Sequence, residues 1–311
     1  MPKFKRSASS QSPAQRITAT IIEKLEQGTK PWVKPWRGLP VSRPLRECGT
    51  PYQGMNTFWL WMIADASGYS SPYWMTYRQC HKLGGQVRKG EKSTIAIFYK
   101  TYEKEVEGPS GQDDTETRRV LKAYSVFNAD QCDGLPQMYY PQPVLAPVEP
   151  EGRQERLDCF FGSVGADLRH HGCEAYYEPV RDRVTMPPSD LFDAYEQYYA
   201  TLAHELSHWT GHSSRLDRDL KNRFGSEAYA AEELVAELSS AILGAELGLP
   251  VTHLDHHASY IASWLKLLKS DDRAILTAAA KAEEAASLLM RLGGLEERQS
   301  SEIDNDLEQA A

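Results

Sequence analysis

The chain has 311 residues, 41% hydrophobic and 25% charged, an ordinary globular composition with room for two cores. It contains no run of about 20 apolar residues, so no membrane helix is expected, and its basic, polar N-terminus lacks the apolar core of a secretory signal. The net charge of −8 hides an asymmetry: residues 1–136 carry 20 Lys+Arg against 13 Asp+Glu, and residues 137–311 carry 15 against 30. A basic half joined to an acidic half points to two different partners. The five scattered cysteines (Cys48, Cys80, Cys132, Cys159, Cys173) show no C-x-x-C spacing. They argue against a disulfide framework or a thiolate zinc site and for a reduced, cytoplasmic protein.

Residues 1–12 read as disordered. Ile17, Ile21, Ile22 and Leu25 follow a helical period that Gly28 ends. Residues 29–51, rich in Pro, Gly and basic residues, read as a loop. An apolar helix is expected over Asn56–Ala66, and another over Trp74–Leu83, stopped by Gly84-Gly85. Thr94–Tyr99 reads as a strand, 103–118 as a charged hairpin-like connection, and Val120–Phe127 as the return strand. Residues 134–156 hold five prolines and no apolar period, the composition of a linker. A helix near Leu157–Leu168 and strands at Glu174–Tyr177 and Arg183–Met186 follow. Long helices are then expected over about 191–212, 227–247, 252–269 and 271–293.

Within the first of those long helices stands His204-Glu205-Leu206-Ser207-His208, an H-E-x-x-H sequence. Histidines four apart lie on one helical face and can reach a single Zn²⁺, and the glutamate between them can work on an activated water. Leu202, Leu206 and Trp209 can pack the far side. The preceding hairpin offers an edge strand on which a peptide substrate could add. A catalytic zinc takes a third protein ligand and keeps one open position. His212 is the local candidate, but four residues beyond His208 it points a turn further along the helix. Glu233 on the downstream helix is the stronger candidate, with Glu237 sharing its face as the carboxylate that orients a ligand histidine. Glu232, rotated by about 100°, is expected to face solvent. Glu205 is the expected general base. His253, His256, His257 and Tyr229 are candidate donors for a tetrahedral oxyanion.

Five of the seven tryptophans precede residue 75. Lys30-Pro31-Trp32-Val33-Lys34-Pro35-Trp36-Arg37 alternates aromatic with basic residues, and Tyr77, Arg78, Arg88, Lys89 and Lys92 extend the set. Cations track phosphates and aromatic faces stack on unpaired bases. With no helix-turn-helix or zinc-finger spacing, single-stranded nucleic acid is the expected partner. Phe58, Trp59 and Trp61, on an apolar helix, read as core.

Several motifs in order resemble the ArdC family of plasmid antirestriction proteins. Tyr52-Gln53-Gly54-Met55-Asn56, Tyr73-Trp74-Met75-Thr76-Tyr77-Arg78-Gln79, Gly84–Glu91 and Val126–Gln131 are similar to its N-terminal domain, which also resembles the N-terminal part of TraC-type plasmid primases. His204–His212 and Tyr229–Leu238 are similar to its zincin-like metallopeptidase domain. The resemblance covers roughly residues 13–293. It implies single-stranded DNA binding and protection of incoming conjugative DNA from host restriction.

The expected class is α+β with two domains. An N-terminal α+β nucleic-acid-binding domain (13–133) and a Pro-rich linker (134–156) precede a C-terminal, mainly helical, zincin-like metallopeptidase domain with a small β-sheet (157–293). An acidic tail (294–311) reads as disordered. The expected cofactor is Zn²⁺, with Mn²⁺ or Co²⁺ as substitutes for histidine and carboxylate ligands. The expected partners are single-stranded DNA and a host restriction component or other protein substrate, with no membrane. Two alternatives stay open: a regulatory metalloprotease whose N-terminal domain recognises protein, and a DNA-coating protein whose metal fold is catalytically unused.

Overall fold

A computed structural model describes residues 11–32, 42–107, 113–140, 152–220, 226–249 and 257–295. The N-terminal half runs α1 (Pro13–Glu26), β1 (Leu45–Arg46), α2 (Met55–Ser67), β2 (Tyr73–Met75), α3 (Tyr77–Lys82), β3 (Gln86–Val87), β4 (Thr94–Glu107), β5 (Asp113–Asn128) and β6 (Cys132–Asp133). The C-terminal half runs α4 (Arg153–Ser163), β7 (Asp167–His170), β8 (Tyr176–Glu178), β9 (Arg183–Met186), α5 (Tyr195–Trp209), α6 (Glu227–Leu247), α7 (His257–Ser270) and α8 (Ala274–Leu292). The architecture is the expected α+β, two-domain one. None of the described helices is long and apolar enough to cross a membrane.

In the N-terminal half the main sheet has the order β1-β2-β5-β4, with β1 parallel to β2 and the other pairs antiparallel. Its β4 edge is covered by α2. The Asn56 side-chain amide donates to the Ile97 carbonyl (2.7 Å) and its oxygen accepts from the Ile97 amide (2.8 Å). Trp59 Nε1 donates to the Ile95 carbonyl (2.9 Å). Ile95 and Ile97 point their backbone groups away from β5, so these helix side chains satisfy an edge that would otherwise invite another strand. Phe58, Trp59 and Trp61 are buried, as their apolar run requires.

Three expectations about elements need correction. Trp74 does not start a helix. Residues 73–75 form β2, and Thr76 caps α3 by a reciprocal box with Gln79. Leu168 does not end a helix either. Gly165, at φ +79°, turns the chain out of α4, and 167–170 become β7, parallel to β9. The hairpin of β4 and β5 keeps its ladder to Glu107↔Asp113, so most of the expected connection at 103–118 is strand. The second sheet has the order β7-β9-β8, which leaves β8 as an edge.

The largest core is continuous across both halves, from Ile17 and Trp61 to Leu234 and Leu289. Polar groups are buried where the halves meet. Lys30 Nζ lies 2.9 Å from Glu237 Oε1 on α6, both side chains 10% exposed or less. The same ammonium lies 5.3 Å from the centroid of the Trp264 ring, against which Trp32 packs edge-on at 5.5 Å. Arg43 donates to both oxygens of Glu283 on α8 (2.7 and 2.8 Å) and to the Tyr52 carbonyl (2.7 Å). The Glu283 carboxylate also accepts from the Gly54 amide (2.8 Å). Breaking a buried pair strands a charge, whereas replacing both partners with apolar groups need not. Lys30→Met is therefore expected to lower unfolding free energy by about 3–5 kcal/mol. Lys30→Met with Glu237→Leu should recover most of that, as urea denaturation of the two variants would measure.

Candidate metal centre

Helix α5 carries His204, Glu205 and His208 on one face, while Leu202, Leu206 and Trp209 are buried on the other. Helix α6 packs alongside and presents Glu233 to that face. His204 Nε2 lies 3.7 Å from Glu233 Oε2, and His208 Nε2 lies 3.5 Å from Glu233 Oε1. One ligand atom from each of the three residues lies within 4.8 Å of the other two. Ligands about 2.0–2.1 Å from a tetrahedral cation stand roughly 3.3 Å from one another, so this donor set fits a divalent metal and leaves one position open. The chemistry of two imidazoles and one carboxylate fits it equally well.

Charges in the cluster are shifted together. Burial raises the Glu233 pKa, but hydrogen bonds and charge from His204 and His208 and the Tyr229 hydroxyl reverse this, bringing it to about 2. His208 is opposed by burial and pushed up to about 9 by Glu232, Glu233 and Glu205. Glu205 is held above the usual carboxylate range by burial, against the pull of His204 and His208 and an amide hydrogen bond from Tyr177 on β8. A buried carboxylate raised in this way is a better proton acceptor than a solvated one.

The group that orients His208 is Glu232, which corrects the expectation that it faces solvent. Its Oε1 lies 3.3 Å from His208 Nδ1, and its side chain is 11% exposed. Arg218 folds back from the loop after α5 and grips both Glu232 oxygens (2.8 and 3.0 Å). The same guanidinium donates to the Ser207 carbonyl (2.7 Å) and the Thr210 hydroxyl (2.8 Å). A Cβ at Gly211 would stand 2.9 Å from Arg218 Nη2, so Gly211 makes room for that clamp. Neither the i,i+4 pattern nor composition signals Arg218, because its contact is made by a loop. Glu237, expected to orient a histidine, is instead held by Lys30, which approaches this face of α6 from the N-terminal half. His204 Nδ1 is buried with no hydrogen-bond partner among the described residues.

His212 stays out of the cluster, bound to Ser214 (2.8 Å) and facing Asp182 (3.9 Å). Tyr229 lies beside Glu233 and 3.3 Å from the Tyr260 hydroxyl. His253 and His256 lie outside the described residues, as does the side chain of His257. Asp182, in the left-handed region at φ +50°, anchors the segment after α5. It accepts from Arg215 and from the Tyr177 hydroxyl (2.8 Å), and the Arg215 guanidinium covers the Trp209 ring at 3.7 Å.

The nucleic-acid candidates divide. Lys30 and Trp32 are buried against α6 and α7 and cannot meet a strand, a correction that follows from their partners Glu237 and Trp264. Lys34, Trp36 and Arg37 lie outside the described residues, as do residues 1–10, 141–151 of the expected linker and 296–311 of the acidic tail. Tyr77, Arg78, Lys89 and Lys92 are exposed. Arg88 is exposed too but committed to Glu91 (3.0 Å) and Asp133 (3.5 Å).

Residues 11–127 match a sequence profile described as the N-terminal domain of anti-restriction factor ArdC, and residues 155–281 match one described as a zincin-like metallopeptidase. The metal-free crystal structure of the antirestriction ArdC protein from plasmid R388 is similar with a TM-score of 0.78 at 44% identity, covering 93% of this chain and 100% of that one. The chain belongs to the ArdC family of antirestriction proteins. The Mn(II)-bound crystal structure of the same ArdC protein is similar with a TM-score of 0.75 at 43% identity, covering 91% and 98% of the two chains. An uncharacterised protein, y4eC of Sinorhizobium fredii, is 42% identical over 88% of this chain and 89% of its own length. Two Escherichia coli DNA primases named TraC are 39% and 40% identical over 89% and 86% of this chain. The matched region is only 27% and 19% of their length. This ArdC-family chain thus has relatives both as a protein of its own size and as a segment of larger primases.

The Asp182 anchor has a pH signature. Its hydrogen bond with Arg215 holds the carboxyl below the ordinary aspartate range despite partial burial. A depressed folded pKa contributes stability above the unfolded value, which is lost as pH falls through the folded one. Asp182→Asn is expected to cost about 1–2 kcal/mol at neutral pH. The gap to wild type in chemical denaturation should narrow as pH falls below the ordinary aspartate range and close once the pH lies below the lowered folded value.

Proposed function

We propose that this ArdC-family protein binds single-stranded DNA through its N-terminal half and carries a zinc metallopeptidase site in its C-terminal half, so protecting incoming conjugative DNA from host restriction. The observation that carries the catalytic part is the convergence of His204, His208 and Glu233 beside the buried Glu205. In this reading those three residues hold a divalent cation. Zinc suits the donor set, and the Mn(II)-bound R388 relative supports Mn²⁺ as a substitute. The cation, when bound, supplies Lewis acidity that acidifies water and polarises a carbonyl. Glu205 takes the proton from water and delivers it to the leaving amine. Glu232, itself held by Arg218, accepts the Nδ1 proton of His208 and so turns Nε2 toward the metal position. Tyr229 steadies Glu233, and β8 offers an edge for a peptide.

The DNA part rests on the basic N-terminal half, on exposed Tyr77, Arg78, Lys89 and Lys92, and on the TraC relatives, which are named DNA primases. Binding should be tighter to single than to double strands in gel shifts and should weaken steeply with salt. Equal affinity for both forms would contradict this reading.

Restriction survival of recipient cells, with metal content measured on the purified protein, tests the whole. Glu205→Gln is expected to retain metal and fold while peptide hydrolysis falls by about 10²–10⁴-fold. If the variant protects DNA as well as wild type, protection comes from coating and not from proteolysis. Glu232→Gln leaves all three proposed ligands in the chain, yet should weaken Zn²⁺ binding by about 10–100-fold in calorimetric titration.

A further inference from the structure

The N-terminal half contains a cavity of about 420 Å³ between the C-terminal end of α2, β2 and the turn before β4. That volume lies within the roughly 300–1,000 Å³ range of small-ligand sites. One wall is formed by the half-buried Tyr69 and Ile63, and the buried Trp74 backs Tyr69 edge-on at 5.9 Å. Ser67, residues 90–94 and Gln131 line the remainder, with Glu91 among them, and Lys92 is exposed.

The Glu91 carboxylate is fixed in place. Oε1 accepts from Arg88 (3.0 Å), and Oε2 accepts from the Gln131 amide (3.0 Å), which also binds the Lys92 carbonyl (3.0 Å). The Gln131 bond, with Arg88, holds this carboxyl below its ordinary range, so it is ionised and accepts only. Each oxygen accepts one bond here and has a second lone pair. A rigid two-oxygen acceptor beside an aromatic wall complements a flat ring with two adjacent N–H donors. Guanine carries that pattern at N1 and N2. Adenine and cytosine offer one amino group next to an acceptor, and thymine offers a single N–H between carbonyls. The Arg88 charge offsets that of Glu91, and exposed Lys89 and Lys92 can meet a backbone phosphate.

We propose that this cavity receives one unpaired base, with Glu91 selecting guanine and Tyr69 packing against its ring. The proposal rests on the single-strand reading for its physiological ligand, and the guanine could also arrive as a free nucleotide. Two arms separate these sources. Fluorescence anisotropy compares oligothymidylate with the same strand bearing one central dG, dA or dC, and calorimetry titrates dGMP alone. Wild type is expected to bind the dG strand about tenfold tighter than the others, within the discrimination of a bidentate base contact. dGMP should bind and compete away that advantage. Glu91→Gln should abolish the preference for the dG strand, all four strands binding alike, while the charge it frees on Arg88 raises their affinities together. Ser67→Tyr, on the exposed rim of the cavity, should bring the dG strand to the oligothymidylate level by filling it, without altering the Glu91 hydrogen bonds.

Equal affinity for all four strands, with oligothymidylate still bound, would overturn the pocket and leave the single-strand reading intact. Glu91-dependent binding of dGMP without any strand binding would keep the pocket as a nucleotide site and remove the single-strand reading. Binding of neither would overturn both.

Discussion

Helix α6 buries three carboxylates, Glu232, Glu233 and Glu237, each with a side chain 11% exposed or less. A buried anion without a partner costs several kcal/mol, so each must be met by hydrogen-bond donors or opposite charge. The three partners come from three directions. Glu233 faces the histidines of α5, Glu232 is gripped by Arg218 from a loop, and Glu237 is met by Lys30 from the N-terminal half. One helix therefore sets where α5, the following loop and the N-terminal segment must sit.

That arrangement gives the candidate centre its rigidity. Its side chains project from two packed helices, and the groups that orient them are themselves held. Arg218 ties Glu232 to the carbonyl of Ser207 and the hydroxyl of Thr210, so the end of α5 and the face of α6 are locked by one guanidinium. Further along, Asp182 and Arg215 pin the chain leaving α5 against Trp209. The two halves are joined by Lys30–Glu237 and Arg43–Glu283, buried pairs whose geometry is exacting and which favour one docking over others. The basic segment read as a strand-binding loop thus begins as part of the core, at Lys30 and Trp32.

Elements with a long period were legible. Helices α1, α2, α6 and α8 follow apolar repeats over 13 to 21 residues, and their ends carry caps such as Ser12, Ser226 and Gly248. The short strands β2 and β7 were not, since three or four residues take their conformation from partners far away in sequence. Residues 101–107 and 113–119 hid their strand character beneath charge, because a two-stranded ribbon needs no apolar period. The site was legible where local spacing decides it, at His204, Glu205 and His208. The roles of Glu232 and Glu237 were not, because the cations that hold them, Arg218 and Lys30, lie 14 residues upstream and 207 residues away.

By itself the sequence determined the helix that carries H-E-x-x-H, the facing glutamate and the charge contrast between the halves. Each follows from residue type and helical period, without reference to which segments meet. Only the tertiary structure decided which acid orients His208, which N-terminal cations are buried and where a cavity opens beside Glu91. Those outcomes depend on how separate segments satisfy one another's charges and backbone groups once water is excluded, and no local pattern encodes that pairing.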